Sequence, residues 1–299
     1  MLRLAVSGNA SIDEYYRVKK IPGADEAQEV IESFWKFGGA ATNVAVASAK
    51  LGCYTRYLGL VGTDHYGDSI IEELRRNDVD TNYVKRLSLS TGRVIIILDM
   101  RGRRAMLAIR GANKELKPGV FQVNEVLKSV NHLHLSSTKP EYSEWILHEA
   151  KERGLTTSYD PGMTVAYHGL KNISGPLKYT DVLFVNEKEY QALGGEEVLK
   201  KFKGLVVLKM GEKGSSFPRE KITVDAFKIK AIDTTGAGDA FDAAFLLCWK
   251  KVGARRECLV FANAVGALKA TKIGAHSSPT MDEVKTFLKE RGFRDIIKL

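Results

Sequence analysis

The sequence predicts an α/β fold in which helices flank a mostly parallel sheet and a small β-sheet forms a lid. Short apolar runs alternate with segments of helical pattern from Leu2 onward, as in β-α-β units. Two stretches, 15–37 and 92–110, break the alternation because they contain extended segments without a crossover helix. A chain of 299 residues, 44% of them hydrophobic, can bury one large core. We therefore expect a single α/β domain over residues 1–299, with lid segments at about 14–37 and 92–110.

The elements of the main sheet follow from the apolar runs in chain order. The early elements are a strand at 2–7, a helix at 40–51, a strand at 55–61 and a helix at 66–77, and later strands are expected at 131–136, 155–159, 182–185 and 205–208. In the lid, residues 92–110 are predicted to form a hairpin whose strand 94–98 is apolar on both faces. A strand that is covered on only one side alternates apolar and polar residues. The second apolar face of the strand 94–98 is therefore expected to pack on substrate, on a second subunit or on other parts of the monomer.

Composition excludes several classes of protein. The formal net charge is +9, but basic and acidic residues are mixed in stretches such as 72–76 and 283–291, as on solvated helix faces. We expect no nucleic-acid partner, because a clustered basic face is missing, and we expect anionic small molecules to benefit from the charge. No apolar run reaches the ~20 residues of a membrane helix. A signal-peptide core is also missing, so we expect no membrane partner and a cytoplasmic location.

The three cysteines, Cys53, Cys248 and Cys258, are odd in number and far apart in the chain. This pattern predicts reduced thiols rather than a disulfide framework or a zinc site.

A glycine-rich segment at 233–241, Asp-Thr-Thr-Gly-Ala-Gly-Asp-Ala-Phe, precedes an apolar helical run. Gly236 and Gly238 let successive backbone N–H groups converge, and the following helix adds the positive end of its dipole. The pattern predicts an anion hole formed by Gly236, Ala237 and Gly238. Asp239, in the first helical turn, is either a partner of the helix dipole or a general base aimed at a substrate hydroxyl.

A second glycine turn, Gly38-Gly39, opens an alanine-rich helix with Asn43 in its first turn. The turn either lets the backbone approach a ligand or serves close helix packing. Together the two elements resemble the two signatures of the ribokinase family of carbohydrate kinases, also called the PfkB family. The first turn, at 8–13, lacks the Gly-x-Gly-x-x-Gly of a dinucleotide-dependent oxidoreductase, and the chain contains no Walker-type phosphate loop.

Further motifs follow in the order of that family, so the resemblance covers nearly the whole chain. They are Asp13 after the first strand, Asn186-x-x-Glu189 after a buried strand, Gly211 and Gly214 after the strand 205–208, Asn263 in Phe-Ala-Asn-Ala, and Gly274. The resemblance implies a phosphotransferase that uses ATP, or ADP, with Mg²⁺. It moves the γ-phosphoryl group to a hydroxymethyl group of a sugar or sugar-like acceptor.

The resemblance also implies roles for individual residues. Asp239 is the base, and the loop at 236–238 holds the transferring phosphoryl group. Asn186 and Glu189 hold Mg²⁺ mainly through water, or they cap the helix that follows them. The residues expected on the nucleotide side are Asn186, Lys209, Gly211, Gly214, Asn263 and Gly274. Asp233, with backbone near Gly274 and Ser278, is expected to bind a monovalent cation or to cap its loop.

On the acceptor side, carboxylate and amide groups suit the recognition of sugar hydroxyls. The expected residues are Asp13, Gly38, Gly39 and Asn43, and Arg93 and Arg110 bracket the second lid segment, where they either reach an anionic group or lie at the surface. Ribose is disfavoured as the acceptor, because Ser-Ser-Thr at 136–138 stands where bacterial ribokinases carry glutamate. A sugar, a nucleoside stacked on lid aromatics, and a sugar phosphate such as an aldose 1-phosphate remain as acceptors. Lids of this family often dimerise, so a homodimer is expected.

Overall fold

A computed structural model of the chain describes residues 2–293, 295 and 296. Within these residues fifteen strands form three sheets. In chain order they are β1 (Arg3–Gly8), β2 (Ser11–Val18), β3 (Val30–Gly38), β4 (Tyr54–Leu58), β5 (Leu60–Gly62), β6 (Val79–Asp80), β7 (Lys85–Leu87), β8 (Arg93–Asp99), β9 (Arg104–Ile109), β10 (His132–Ser136), β11 (Thr156–Asp160), β12 (Val182–Asn186), β13 (Leu205–Lys209), β14 (Ser215–Phe217) and β15 (Ile222–Val224).

The main sheet contains nine of these strands in the order β15-β14-β13-β12-β11-β10-β1-β4-β6. Seven of them, from β13 to β6, run parallel to their neighbours, and only β14 and β15 pair antiparallel at one edge. The predicted mostly parallel sheet is therefore confirmed. The predicted strand 55–61 is divided into β4 and β5, because β5 leaves the main sheet and pairs with β7.

Helices cover both faces of the main sheet. They are α1 (Ala40–Lys50), α2 (His65–Arg76), α3 (Val123–Val126), α4 (Pro140–Glu152), α5 (Gly162–Ala166), α6 (Ser174–Leu177), α7 (Glu187–Ala192), α8 (Glu196–Lys201), α9 (Ala237–Val252), α10 (Arg256–Ala270) and α11 (Met281–Glu290). One apolar core joins the sheet to α1, α2, α9, α10 and α11, and a second core joins its other face to α3–α8. None of the helices in the described part of the chain combines the length and apolar character needed to cross a bilayer.

The lid is a separate four-stranded sheet in the order β3-β2-β8-β9. β2 pairs antiparallel with β3 and parallel with β8, and β8 and β9 form the expected hairpin. Its strands begin and end close to the predicted segments 14–37 and 92–110. The chain returns from β3 directly into α1, which brings the lid to the carboxyl edge of the main sheet.

The prediction of reduced cysteines is wrong for two of the three. Cys248 near the end of α9 and Cys258 near the start of α10 form a disulfide, whereas Cys53 is free and buried. The two helices pack against each other across the short turn at 253–255, so cysteines ten residues apart in sequence face one another. Sequence separation alone did not reveal this, because the pairing depends on how the two helices pack.

Candidate active site

The predicted catalytic residues meet where α1 and α9 begin, beside the carboxyl ends of the main strands. In open α/β sheets this edge is where ligands bind. Asp239 lies in the first turn of α9, and Asn43 lies in the first turn of α1. Nδ2 of Asn43 donates a hydrogen bond of 2.7 Å to Oδ2 of Asp239. The structure thus joins an acceptor-side residue directly to the predicted base, although 196 positions separate them.

Asn43 also offers an unused acceptor. Its Oδ1 atom is buried and has no hydrogen-bond partner among the described residues. A buried amide oxygen without a donor is costly, and an acceptor hydroxyl could supply that donor. The amide can therefore orient the carboxylate of Asp239 with one atom and a substrate hydroxyl with the other.

The pKa of the Asp239 carboxyl is raised to about 6. Burial is the main cause and the nearby Asp160 adds repulsion, while the Asn43 hydrogen bond and the charge of Lys209 oppose the rise. A general base works best with a pKa near the working pH. Asp239 is thus poised to accept a proton at neutral pH.

The glycine loop precedes Asp239 as predicted. Gly236 has a φ of 78°, a left-handed conformation in which a side chain would be strained, and a Cβ there would lie 3.0 Å from the carbonyl oxygen of Ala275. The N–H of Ala237 donates to the carbonyl of Thr234 at 3.1 Å. This bond occupies the Ala237 N–H, which was predicted to line the anion hole, whereas the Gly238 N–H has no acceptor inside the helix and can bind an anion.

The glycine turn after β3 makes room for Asp13 on β2. A Cβ at Gly38 would lie 2.6 Å from Oδ1 of Asp13, and Gly39 has a φ of 99° with Asn9 carbonyl oxygen 2.4 Å from its Cβ position. Larger residues at either position would displace the carboxylate or the turn. Burial raises the pKa of Asp13 to about 6, with repulsion from Asp233 adding to it and Lys36 opposing it.

Lys36 is a residue of the site that sequence reasoning missed. It pairs with Asp13 across β2 and β3, and its Nζ lies 3.5 Å from Oδ2 of Asp233. On the same face of the lid, Tyr15 and Phe34 stack with their ring centroids 4.8 Å apart, and the Lys36 ammonium lies 5.3 Å from the Tyr15 ring. Its position two residues before the glycine turn was the available signal.

The two predicted arginines are not brought to Asp13. Arg93 pairs with Ile12, the neighbour of Asp13, so its side chain belongs to the opposite face of the lid. There its Nη1 lies 3.4 Å from Oε1 of Glu14, which also accepts a hydrogen bond from Tyr66. Arg110 is exposed at the end of the lid hairpin.

Lys209, predicted as a phosphate contact, is held by two buried carboxylates. Its Nζ donates to Asp160 at 2.7 Å and to both oxygens of Asp242, at 2.8 and 3.0 Å. Asp160 ends β11, and Asp242 lies one turn beyond Asp239 on α9. The flanking charges raise the pKa of Lys209 despite its burial. The spacing of Asp239 and Asp242, three apart on one helix, was the signal for this cluster.

Asn186 and Glu189 form a capping box at the start of α7. Oδ1 of Asn186 accepts from the Glu189 N–H at 2.9 Å, and Oε2 of Glu189 accepts from the Asn186 N–H at 2.8 Å. The helix-capping alternative is therefore present. The pKa of Glu189 is nevertheless raised to about 7, by burial and by repulsion from Asp160, with a smaller contribution from Asp239.

This crowding of carboxylates fits a divalent cation. Asp160 and Asp242 contact the Lys209 ammonium, and the charges of Asp160 and Asp239 act on Glu189, so a cation that approaches these carboxylates would relieve their repulsion. Within the described ranges, no group of three or more His, Cys, Asp or Glu can bind a metal by itself. Mg²⁺ commonly binds through one or two carboxylates, with water and substrate phosphates completing its shell.

The remaining nucleotide-side residues divide into two groups. Asn263 and Gly214 support the edge hairpin: Nδ2 of Asn263 donates to the carbonyls of Val224 and Asp225 at 3.2 Å each, and a Cβ at Gly214 would lie 2.0 Å from the Val224 carbonyl oxygen. Gly211 and Gly274 both have positive φ with open space at their Cβ positions.

Asp233 has the contacts of a loop cap. Its Oδ1 accepts from the Thr235 N–H at 3.0 Å and its Oδ2 from the Gly274 N–H at 2.9 Å. Burial would raise its pKa, but these hydrogen bonds lower it to about 2. The carbonyl oxygen of Asp233, a candidate ligand for a monovalent cation, accepts a hydrogen bond from Lys269. The hydroxyl of Ser278 is buried and lacks a partner among the described residues.

The chain is similar to known carbohydrate kinases along nearly its whole length. A family model described as pfkB family carbohydrate kinase matches residues 1–281. An ATP-dependent ribose-1-phosphate kinase of Halopiger xanaduensis is 34% identical over 300 residues, covering 97% of this chain and 99% of that protein. The crystal structure of ribokinase from Thermotoga maritima is similar with a TM-score of 0.85 at 31% identity, covering 97% of this chain and 100% of the other. Arabidopsis thaliana ribokinase, complexed with ribose and ATP, is similar with a TM-score of 0.87 at 28% identity, covering 97% and 99%.

Proposed function

The chain belongs to the pfkB family of carbohydrate kinases and is a kinase, and we propose that it transfers the γ-phosphoryl group of ATP to the hydroxymethyl group of a sugar phosphate such as ribose 1-phosphate. The hydrogen bond between Asn43 and Asp239 is the main support for the catalytic part of this proposal. Through it, a carboxylate with a raised pKa lies at the start of a helix, beside an amide oxygen that has no partner among the described residues.

In the proposed reaction, Asp239 accepts the proton of the acceptor hydroxyl. The hydroxyl oxygen forms a bond to the γ-phosphorus, the bond from that phosphorus to the bridging oxygen breaks, and ADP leaves. The N–H groups of Gly236 and Gly238 stabilise the charge on the moving phosphoryl group, whereas the Ala237 N–H is bonded to the Thr234 carbonyl. Asn186 and Glu189 are the residues that would hold Mg²⁺, mainly through water, and the ion would neutralise charge on the nucleotide phosphates.

The acceptor side supports an anionic sugar. Asp13 and Asn43 provide oxygens for sugar hydroxyls, and Lys36 places an ammonium on the same face of the lid. Arg104 on β9 lies near Tyr15 on that face, and its positive charge favours the ionised form of the Tyr15 hydroxyl. Lys36 and Arg104 can together bind a phosphate group. Arg93 cannot take part, because its side chain lies on the opposite face of the lid. The 34% identical relative is an ATP-dependent ribose-1-phosphate kinase, which agrees with this choice.

A nucleoside is the second candidate acceptor. The stacked pair Tyr15–Phe34 lies on the same face as Asp13, and an aromatic pair of this kind can extend its stacking to a base. In that case Lys36 and Arg104 would have no anionic partner on the acceptor.

The test is a coupled phosphotransfer assay with Mg²⁺ and either ATP or ADP. The acceptors are ribose 1-phosphate, ribose 5-phosphate, ribose, fructose, inosine and cytidine, and the Asp239→Asn variant is the blank. We expect turnover that depends on Asp239 with ATP and ribose 1-phosphate.

Lys36→Met should raise the KM for a phosphorylated acceptor and leave the KM for ATP unchanged. Preferred turnover of a nucleoside would overturn the acceptor assignment, and preferred use of ADP would overturn the donor.

The lid also supports a proposal about assembly. Several large apolar side chains of the lid sheet are exposed, namely Val30, Ile31, Trp35, Met106 and Leu107, and of these Trp35 and Leu107 lie together on the face opposite Asp13. Patches of this kind commonly mark a protein interface, and we assign a second copy of the chain to it. Light scattering after gel filtration should give the mass of a dimer, and Leu107→Glu should give a monomer. The dimer would act in the cytoplasm, where ATP is abundant.

A further inference from the structure

Lys269, in the last turn of α10, is fully buried with 0% of its surface exposed. Lysine is almost never fully buried unless its charge is satisfied. Its Nζ donates to the carbonyl oxygen of Asp233 at 2.8 Å and to that of Lys272 at 3.2 Å. Burial lowers the pKa of Lys269, and the charge of Asp233 opposes this effect.

The position of this ammonium links two loops of the site. Asp233 begins the segment that leads through the anion hole to Asp239, and Lys272 begins the segment that leads to Gly274. The Gly274 N–H in turn donates to the Asp233 carboxylate. The Lys269 charge also favours the ionised form of Asp239. Lys269 therefore fixes the start of the catalytic loop without touching the reacting atoms.

The same position was expected to hold a monovalent cation. Such a cation would need carbonyl oxygens, and the Asp233 carbonyl is already bonded to an ammonium 2.8 Å away. A second cation on that oxygen would lie close to the first, and like charges at such distances repel strongly in a buried site. The residues present do not fit a resident monovalent cation at the Asp233 carbonyl.

We propose that the Lys269 ammonium permanently takes the place of a monovalent cation under the catalytic loop, so that the kinase works without K⁺ or Na⁺. Lys269 is in these terms a positioning residue, acting through the backbone of residues 233–239. This inference rests on the proposed role of that loop in phosphoryl transfer.

The first experiment measures the wild-type enzyme in chloride salts of N-methylglucamine, K⁺, Na⁺ and NH₄⁺ at constant ionic strength. We expect kcat and both KM values to agree within about twofold in all four salts, because no step uses a mobile cation. Activity that needs K⁺ or NH₄⁺ would overturn the inference. A complete lack of Asp239-dependent turnover in every salt would instead overturn the proposed function, so the two failures are distinct.

The second experiment compares three variants. Lys269→Ala leaves a space beside the two carbonyls, Lys269→Met fills that space with an apolar chain, and Lys285→Met, the control, removes a lysine charge from the exposed side of α11. We expect the first two variants to lose about 10²-fold in kcat, as is typical when a catalytic loop is displaced. K⁺ or NH₄⁺ should restore only Lys269→Ala, and Lys285→Met should resemble the wild type.

Thermal unfolding supplies a readout independent of activity. For Lys269→Ala, we expect the Tm to rise with K⁺ or NH₄⁺ relative to N-methylglucamine, because these ions bind the folded state. The wild type and Lys269→Met should show no such difference. An equal K⁺ effect on all three proteins would overturn the assignment. If Lys269→Ala does not fold, the salt series on the wild type decides the matter.

Discussion

At the scale of single residues, several carboxyl groups of the site have pKa values that differ from those of free aspartate and glutamate. Asp13 and Asp239 have pKa values raised to about 6, and Glu189 to about 7, because burial disfavours their charged forms. Asp233, only six positions before Asp239, has its pKa lowered to about 2 by backbone hydrogen bonds. Asp233 therefore stays charged while it holds its turn, whereas Asp239, the proposed proton acceptor, titrates close to neutral pH.

The Asp239→Asn substitution tests the base directly. Asparagine keeps the size of the side chain and can still contact Asn43, but it cannot accept the hydroxyl proton. We expect kcat to fall by about 10² or more with little change in ATP affinity. Steady-state kinetics with binding of ATP measured by calorimetry provide the check, and near-normal turnover would remove Asp239 from its role.

The contact between Asn43 and Asp239 predicts a shift in the pH profile. The amide stabilises the charged carboxylate, so Asn43→Ala should raise the Asp239 pKa above about 6. Because the base must be deprotonated, the acidic limb of kcat/KM should move to higher pH. Asn77→Ala, at the end of α2, serves as the control and should leave the limb in place. An unmoved limb in Asn43→Ala would show that another group titrates there.

At the scale of elements, the sequence predicted most strands and the glycine turns, because apolar runs and glycine pairs are local signals. It did not reveal that Lys209, Asp160 and Asp242 form one buried cluster, since this requires the ends of β13 and β11 to meet α9. The disulfide was missed for the same reason. The resemblance indicated that Asn43 and Asp239 share a site, but the hydrogen bond between them depends on the packing of α1 on α9.

The capping box of α7 allows its structural part to be separated from its chemical part. Asn186→Ala removes the cap, and we expect the free energy of unfolding to fall by about 1 kcal/mol. Serine caps as well as asparagine, so Asn186→Ser should keep nearly all of that stability. Urea denaturation measures both. If Asn186→Ala loses no more unfolding free energy than Asn186→Ser, the cap does not stabilise the protein. A KM for ATP that rises in both variants would indicate a role of the Asn186 amide in nucleotide binding.

At the scale of the whole molecule, two apolar cores on opposite faces of the main sheet hold the strand ends in register. The lid joins the first core through Ile12 of β2 and Phe37 of β3, and it approaches the catalytic loop where Lys36 lies near Asp233. The chain carries a formal net charge of +9, while the catalytic cluster itself is rich in carboxylates. The surface therefore attracts anions, and local groups decide where they bind.

This charge predicts a dependence of encounter on ionic strength. Raising N-methylglucamine chloride from ~0.02 to ~0.2 M shortens the Debye length severalfold and screens the attraction of phosphates. We expect kcat/KM for ATP and for a phosphorylated acceptor to fall severalfold, with kcat at saturation nearly constant. The comparison of kcat with kcat/KM is its own control. A parallel fall of both would place the salt effect on the chemical step instead.

The proposed acceptor residues Asp13, Lys36, Asn43 and Arg104 all lie before residue 110, whereas the proposed phosphoryl-transfer groups lie beyond residue 159. A single recombination event between related genes could therefore replace the selectivity of this enzyme while leaving its phosphoryl-transfer machinery intact. Chimeras joined between β9 and β10 would keep the lid whole and are expected to take the acceptor of one parent and the donor of the other. New acceptor specificities would then arise by exchange of this N-terminal segment, without changes in the residues of the phosphoryl-transfer site.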